Sequence, residues 1–180
     1  MRKFACFLST SVAAGVFVSA IAFAQAPPPA STKVGVTGLM HSIHSTNDVE
    51  KTLAFYQAVF GVAGQVRPFA STGPQILTNS PGATLRVAMT QLKGAFNLEL
   101  TEFGNVERQL NKQPDIVDPG APMMKVIVRD IDVVVAAAKK ANAPIVTKSG
   151  LPVTVTTSIG NARAIIMRDP DGYFVEAIQA

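Results

Sequence analysis

Hydrophobic positions along this chain recur with two different periods, and the same succession of periods runs twice. Gly38 to Ser45 is a short extended stretch. Asp48 follows as a helix cap, because its carboxylate can accept from free N–H groups of the first turn. Val49, Leu53, Tyr56 and Phe60 then fall at helical spacing as one buried stripe, and Gly61 stops the helix. Strands are predicted around Gln65–Ala70, Thr84–Gln91 and Ala95–Phe103, with Gly94 turning the last two into a hairpin. The second run opens with a strand over Met123–Val128. Asp130 caps a helix whose stripe is Ile131, Val134, Val135, Ala138 and Ala141. Strands over Pro144–Thr147, Ala162–Arg168 and Tyr173–Ile178 follow. Asp169-Pro170-Asp171-Gly172 turns the last two into each other, Pro setting the first turn dihedral and Gly accepting a positive φ.

The two runs align as a weak internal repeat. An offset of 82 residues pairs His41 with Met123 and Asp48 with Asp130, and an offset of 77 pairs Glu99 with Glu176. Shorter loops in the second copy account for the difference. Neither copy can bury its sheet alone, so strand–helix–three strands, taken twice, predicts an α+β fold with one continuous core.

Ahead of both copies lies a different pattern. Met1-Arg2-Lys3 is basic, Phe4 to Ala24 is apolar, and the run ends in Ala22-Phe23-Ala24. This is the layout of a secretory signal over residues 1–24, cut after Ala24, which puts the mature protein in the periplasm or outside the cell and off the membrane. The alternative is an uncleaved anchor helix, against which Ser9, Thr10, Ser11 and Ser19 count. Residues 25–33, with three consecutive prolines, read as a linker to a folded region over 34–180, with modules over about 34–104 and 121–180.

Composition changes this picture in two ways. The chain has 180 residues, 48% of them hydrophobic, but part of that share belongs to the leader, as does the one cysteine, Cys6. Disulfides, thiolate nucleophiles and thiolate metal sites are therefore excluded from the mature chain. Sixteen basic residues stand against twelve acidic, and Lys139-Lys140 is the one adjacent basic pair after the first three residues. Nothing in that distribution fits nucleic acid.

Strand alternation sorts the remaining polar groups. Phe96, Leu98 and Leu100 share the face that packs on the helix, which sends Glu99 to the opposite, concave side. Glu176 is the only charge in the last strand. His41, Ile43 and Ser45 share a face of the first strand, and His44 lies on the other. Taken singly, an edge glutamate or a strand histidine is ordinarily structural.

The combination is more specific. The run His41-Ser42-Ile43-His44-Ser45-Thr46-Asn47-Asp48, with Phe55-Tyr56 and Val59-Phe60-Gly61 after it, resembles the opening of the vicinal oxygen chelate superfamily, the glyoxalase, bleomycin-resistance and extradiol-dioxygenase group. Arg168-Asp169-Pro170-Asp171-Gly172-Tyr173-Phe174-Val175-Glu176 resembles its close. The resemblance implies two tandem βαβββ modules whose mixed sheets curl around a cup, with metal ligands on the first and last strands of each module. By position it makes His41, Glu99 and Glu176 ligands of a divalent metal (Zn, Ni, Mn or Fe), and Glu99 or Glu176 the proton-moving group. His44 is a rival for His41 if the first strand is shifted. The fourth ligand position holds Met123, whose thioether is a poor donor to such ions. Lys125, two residues on, points into the same pocket or snorkels out at the sheet edge; in the pocket its ammonium would pair with Glu99 or Glu176 and weaken or exclude metal.

Three functions follow as expectations. One is a metal-dependent lyase, isomerase or dioxygenase acting on a small oxygen-bearing molecule. Another is a metal-free protein that sequesters a small molecule, and the third an interaction module without ligand chemistry. The resemblance also implies a homodimer. The polar segment over residues 104–121 is a connector or a loop over the cup mouth.

Overall fold

The first ordered strand, β1, is Ser42–Thr46, and the helix α1, Val49–Phe60, begins three residues later. Asp48 caps it as expected, its side chain accepting from Lys51 N, and Gly61 ends it in the left-handed conformation at φ 65°. Val49, Leu53 and Tyr56 are buried, joined by Thr52, Phe55 and Val59, while Phe60 is half-buried. The chain continues through β2 (Val66–Phe69), a short helix α2 (Gly73–Leu77), β3 (Thr84–Gln91) and β4 (Asn97–Gly104). The second module repeats the order as β5 (Met123–Ile127), α3 (Ile131–Lys140), β6 (Val153–Thr157), β7 (Gly160–Arg168) and β8 (Phe174–Gln179).

This computed structural model describes residues 38, 40–92, 96–108, 113–157 and 160–179. The leader over 1–24, the linker over 25–33 and the Gly94 turn lie outside the described residues. Among the described residues no helix is long and apolar enough to cross a membrane.

Each module carries its own four-stranded mixed sheet, in the order β1-β4-β3-β2 and β5-β8-β7-β6. In each, the first strand runs parallel to the last, as a strand–helix–strand crossover requires. The stripes of α1 and α3 share one core with the inward sides of both sheets: Leu53, Tyr56, Leu98 and Leu100 from the first module, Val134, Ile165, Met167 and Val175 from the second. Burying each such side chain contributes about 1.5–3 kcal/mol, so the two modules stabilise each other. Among the described residues β1 and β5 are edge strands, each hydrogen-bonded to one neighbouring strand.

Four expectations need correction. The strand placed over Pro144–Thr147 is only a bridge between Ile145 and Met167, and the true edge strand is β6, nine residues later. α2 was not foreseen. Phe96 precedes β4 and is exposed instead of packing on the helix. Ala141 is the C-cap of α3 and exposed, because the helix has already ended.

Candidate functional site

Glu99 and its neighbours sit as strand alternation requires. Leu98 and Leu100 are in the core, and Glu99 lies on the opposite face across from Ile43. His41, one residue before β1, reaches back so that its Nε2 is 3.0 Å from Glu99 Oε2. In the second module Glu176 lies across from Lys125, with Lys125 Nζ 2.8 Å from its Oε2. Met123 lies across from Phe174 and is exposed. Lys125 thus occupies the register position of Ile43, and each module's last-strand glutamate finds a basic partner on or beside its first strand.

These residues form two pairs and not one constellation. Among the described residues, two groups bring three or more His, Asp or Glu donors near enough to share an ion: His44 with Asp169 and Asp171, and Asp48 with Glu50 and Glu102. Neither contains His41, Glu99 or Glu176. A three-ligand His-Glu-Glu metal site does not fit this single chain: Glu176 is engaged by an ammonium, and Met123 offers only a thioether. The exposed acidic group is countered by Arg86, which pairs with both Glu50 and Glu102.

A cleft of about 1770 Å³ separates the edge of β1 from β5. Ser42, Leu98 and Phe96 line it from the first module, and Met123 and Lys125 from the second. Its walls are largely apolar, with the Lys125 ammonium among the few charges, an arrangement suited to a small molecule with an apolar body and an oxygen-bearing end.

A second cluster was missed by sequence reading. His44 faces the core and is only 1% exposed. Its ring stacks on Tyr173 with centroids 3.5 Å apart and meets the Tyr56 ring edge-on at 6.5 Å. Its Nδ1 lies 3.3 Å from Asp169 Oδ2 and its Nε2 lies 3.8 Å from Asp171 Oδ2, yet neither nitrogen makes a hydrogen bond. Tyr56 donates to Asp169 Oδ2 at 3.1 Å, and Thr52 donates to Asp171 Oδ2 at 2.6 Å. Burial pushes the His44 imidazole down to about 4, against the pull of Asp171. Burial also lifts the Asp169 carboxyl to about 6, opposed by backbone and Tyr56 hydrogen bonds. The sequence read Asp169–Gly172 as a turn and Tyr56 as a core residue, both correct. What it lacked was any local signal that residues 44 and 171 meet.

The connector leans on the same turn. Arg168 donates to Pro114 O at 2.6 Å, and Gln113 donates to Asp171 O at 3.3 Å. Residues 109–112 lie outside the described residues.

No protein-family model matches the sequence, and no curated protein does either. Solved structures do. A glyoxalase family protein from Bacillus cereus is similar with a TM-score of 0.70 at 15% identity, over 83% of this chain and 98% of that one. A glyoxylase/bleomycin resistance protein/dioxygenase domain from Frankia is similar with a TM-score of 0.55 at 18% identity, over 81% and 93%. A glyoxalase I variant from Zea mays is similar with a TM-score of 0.56 at 19% identity, over 78% of this chain and 44% of that one. The tandem βαβββ modules of this chain therefore have the vicinal oxygen chelate fold, in the form taken by glyoxalase, bleomycin-resistance and dioxygenase proteins.

Proposed function

We propose that this protein is exported and binds a small oxygen-bearing molecule in its cleft without a metal at the cup position. The observation that carries this reading is the Lys125–Glu176 ion pair at 2.8 Å. An ammonium at that position supplies the positive charge that a cation would bring to a carbonyl or carboxylate oxygen. The competing reading, a metal-dependent lyase, isomerase or dioxygenase, rests on the His41–Glu99 pair at 3.0 Å, with Glu99 or Glu176 moving a proton. Export rests on the basic start and the apolar run ending at Ala24. A homodimer is part of the proposal, supported by the two free strand edges beside the cleft.

The test is a thermal-shift screen of chelator-treated protein against small carbonyl and carboxylate compounds. The expected result is stabilising ligands found without added metal, their effect lost in Lys125→Ala. Activity or ligand binding that requires added metal and disappears in both His41→Ala and Glu176→Ala would instead establish the metal-dependent enzyme. N-terminal sequencing of the exported chain should begin at Gln25.

A further inference from the structure

The carboxylates of Asp169 and Asp171 present an unbalanced charge. Their side chains are 0% and 6% exposed, and among the described residues no lysine or arginine lies within ion-pair distance of either. The one basic group facing them is His44, and neither nitrogen of its buried ring makes a hydrogen bond. Two buried carboxylates facing an imidazole with unpartnered nitrogens is a costly arrangement unless a cation joins them. A neutral ring also carries only one N–H. With a carboxylate oxygen opposite each nitrogen, one nitrogen is left with its lone pair facing another lone pair.

We propose that His44, Asp169 and Asp171 form a binding site for one divalent cation of the zinc, manganese or cobalt class, separate from the cup. One nitrogen and one oxygen from each carboxylate lie within 4.8 Å of one another. Donors on one such ion stand about 3–4 Å apart at bond lengths of about 2.0–2.2 Å, so closure requires only a small contraction. One imidazole with two carboxylates, and no sulfur, suits borderline divalent ions.

The surrounding groups already hold the donors in place. Asp169 Oδ1 accepts from the N–H groups of Asp171 at 3.0 Å and Tyr173 at 2.9 Å, and Asp171 Oδ1 accepts from Asn47 N at 2.8 Å. This leaves both Oδ2 atoms turned toward His44, oriented by the Tyr56 and Thr52 hydroxyls. Stacking on Tyr173 fixes the plane of the imidazole. Such outer partners commonly set a metal ligand's geometry and basicity. His44, Tyr56 and Tyr173 border the large cleft and Asp171 borders a smaller pocket on another side, which gives an ion a way in. The site joins β1 to the β7–β8 turn, so the ion would act as a clamp between modules.

The test uses the full chain, stripped with chelator and titrated with Co²⁺ by visible absorption and with Zn²⁺ by calorimetry. One equivalent should bind in the wild type and equally in the His41→Ala/Glu176→Gln double variant. Affinity should fall at least about tenfold in His44→Leu and in Asp171→Asn, the second variant deciding if the first does not fold. Absence of binding in the wild type overturns the proposal. So does binding that survives His44→Leu and Asp171→Asn, or that is lost in the double variant. The ligand screen uses chelator-treated protein, so its result is read separately from these titrations.

Discussion

A phenol hydroxyl against a buried carboxylate is the kind of contact whose removal can be measured cleanly. Tyr56→Phe keeps the ring contacts with Phe55 and Phe60 but deletes the donor 3.1 Å from Asp169 Oδ2. Urea denaturation should show a loss of about 1–3 kcal/mol. His44 and Asp169 also make opposite demands on pH in the metal-free protein. His44 titrates at about 4 when folded against 6.5 when unfolded, so its contribution is present above 6.5 and lost as pH falls toward 4. Asp169 titrates at about 6 against 3.8, so its contribution is present below 3.8 and lost as pH rises through 6. Between 4 and 6 the two offset each other, and this pair should leave stability nearly flat. Asp169→Asn retains an oxygen for the turn and removes the compensation. Relative to wild type, its stability in chelator should drop by up to about 3 kcal/mol from pH 7 to pH 4, measured by urea titration at each pH; a parallel profile would contradict the assignment. None of this was readable from sequence, because alternation places His44 on a face without revealing which residues of the other module cover it.

At the scale of elements the sequence was far more informative, since caps and stripes are local. Asp48 and Asp130 both cap as expected, the second accepting from Asp132 N and Val133 N. Replacing either by Ala should cost about 1 kcal/mol in chemical denaturation. The closing turn was equally legible: Gly172 has φ 92° and its missing side chain leaves room for Gln113. Gly172→Ala should therefore destabilise by more than the ordinary ~1 kcal/mol of a Gly-to-Ala strain, seen as a lowered Tm. The misplaced edge strand shows where local reading fails. Pro144–Thr147 carries β-branched residues, and Val146 N and Thr147 N bond to Ile166 O while Arg168 N bonds to Pro144 O, but these amount to one isolated bridge and no longer ladder. Val153–Thr157 alternates as well, and only the register against Gly160–Ala164 decides between them.

For the whole molecule, the tandem repeat was evident from offsets of 82 and 77 residues, and the two sheets reproduce it down to Ile43 and Lys125 facing equivalent glutamates. The approach of one module to the other was not, because it depends on how two apolar helix stripes share a core. The proposed homodimer belongs to this scale. Ile43 is 57% exposed and Ile127 79% exposed on the edge strands beside the cleft, a poor surface for water to cover. Analytical ultracentrifugation should give a dimer for the wild type and a monomer for Ile127→Glu; a monomeric wild type would exclude it. The Asp171 carboxylate has a further consequence, one of timing. It holds the N–H of Asn47 and the hydroxyl of Thr52 at the entry to α1, so the first module's opening turn is completed by a residue of the second module's closing turn. During synthesis that contact cannot form until the second module's closing turn has been made. For a polypeptide proposed to thread through a membrane, this latch between modules is therefore set late, after the first module's own strands and helix are already available.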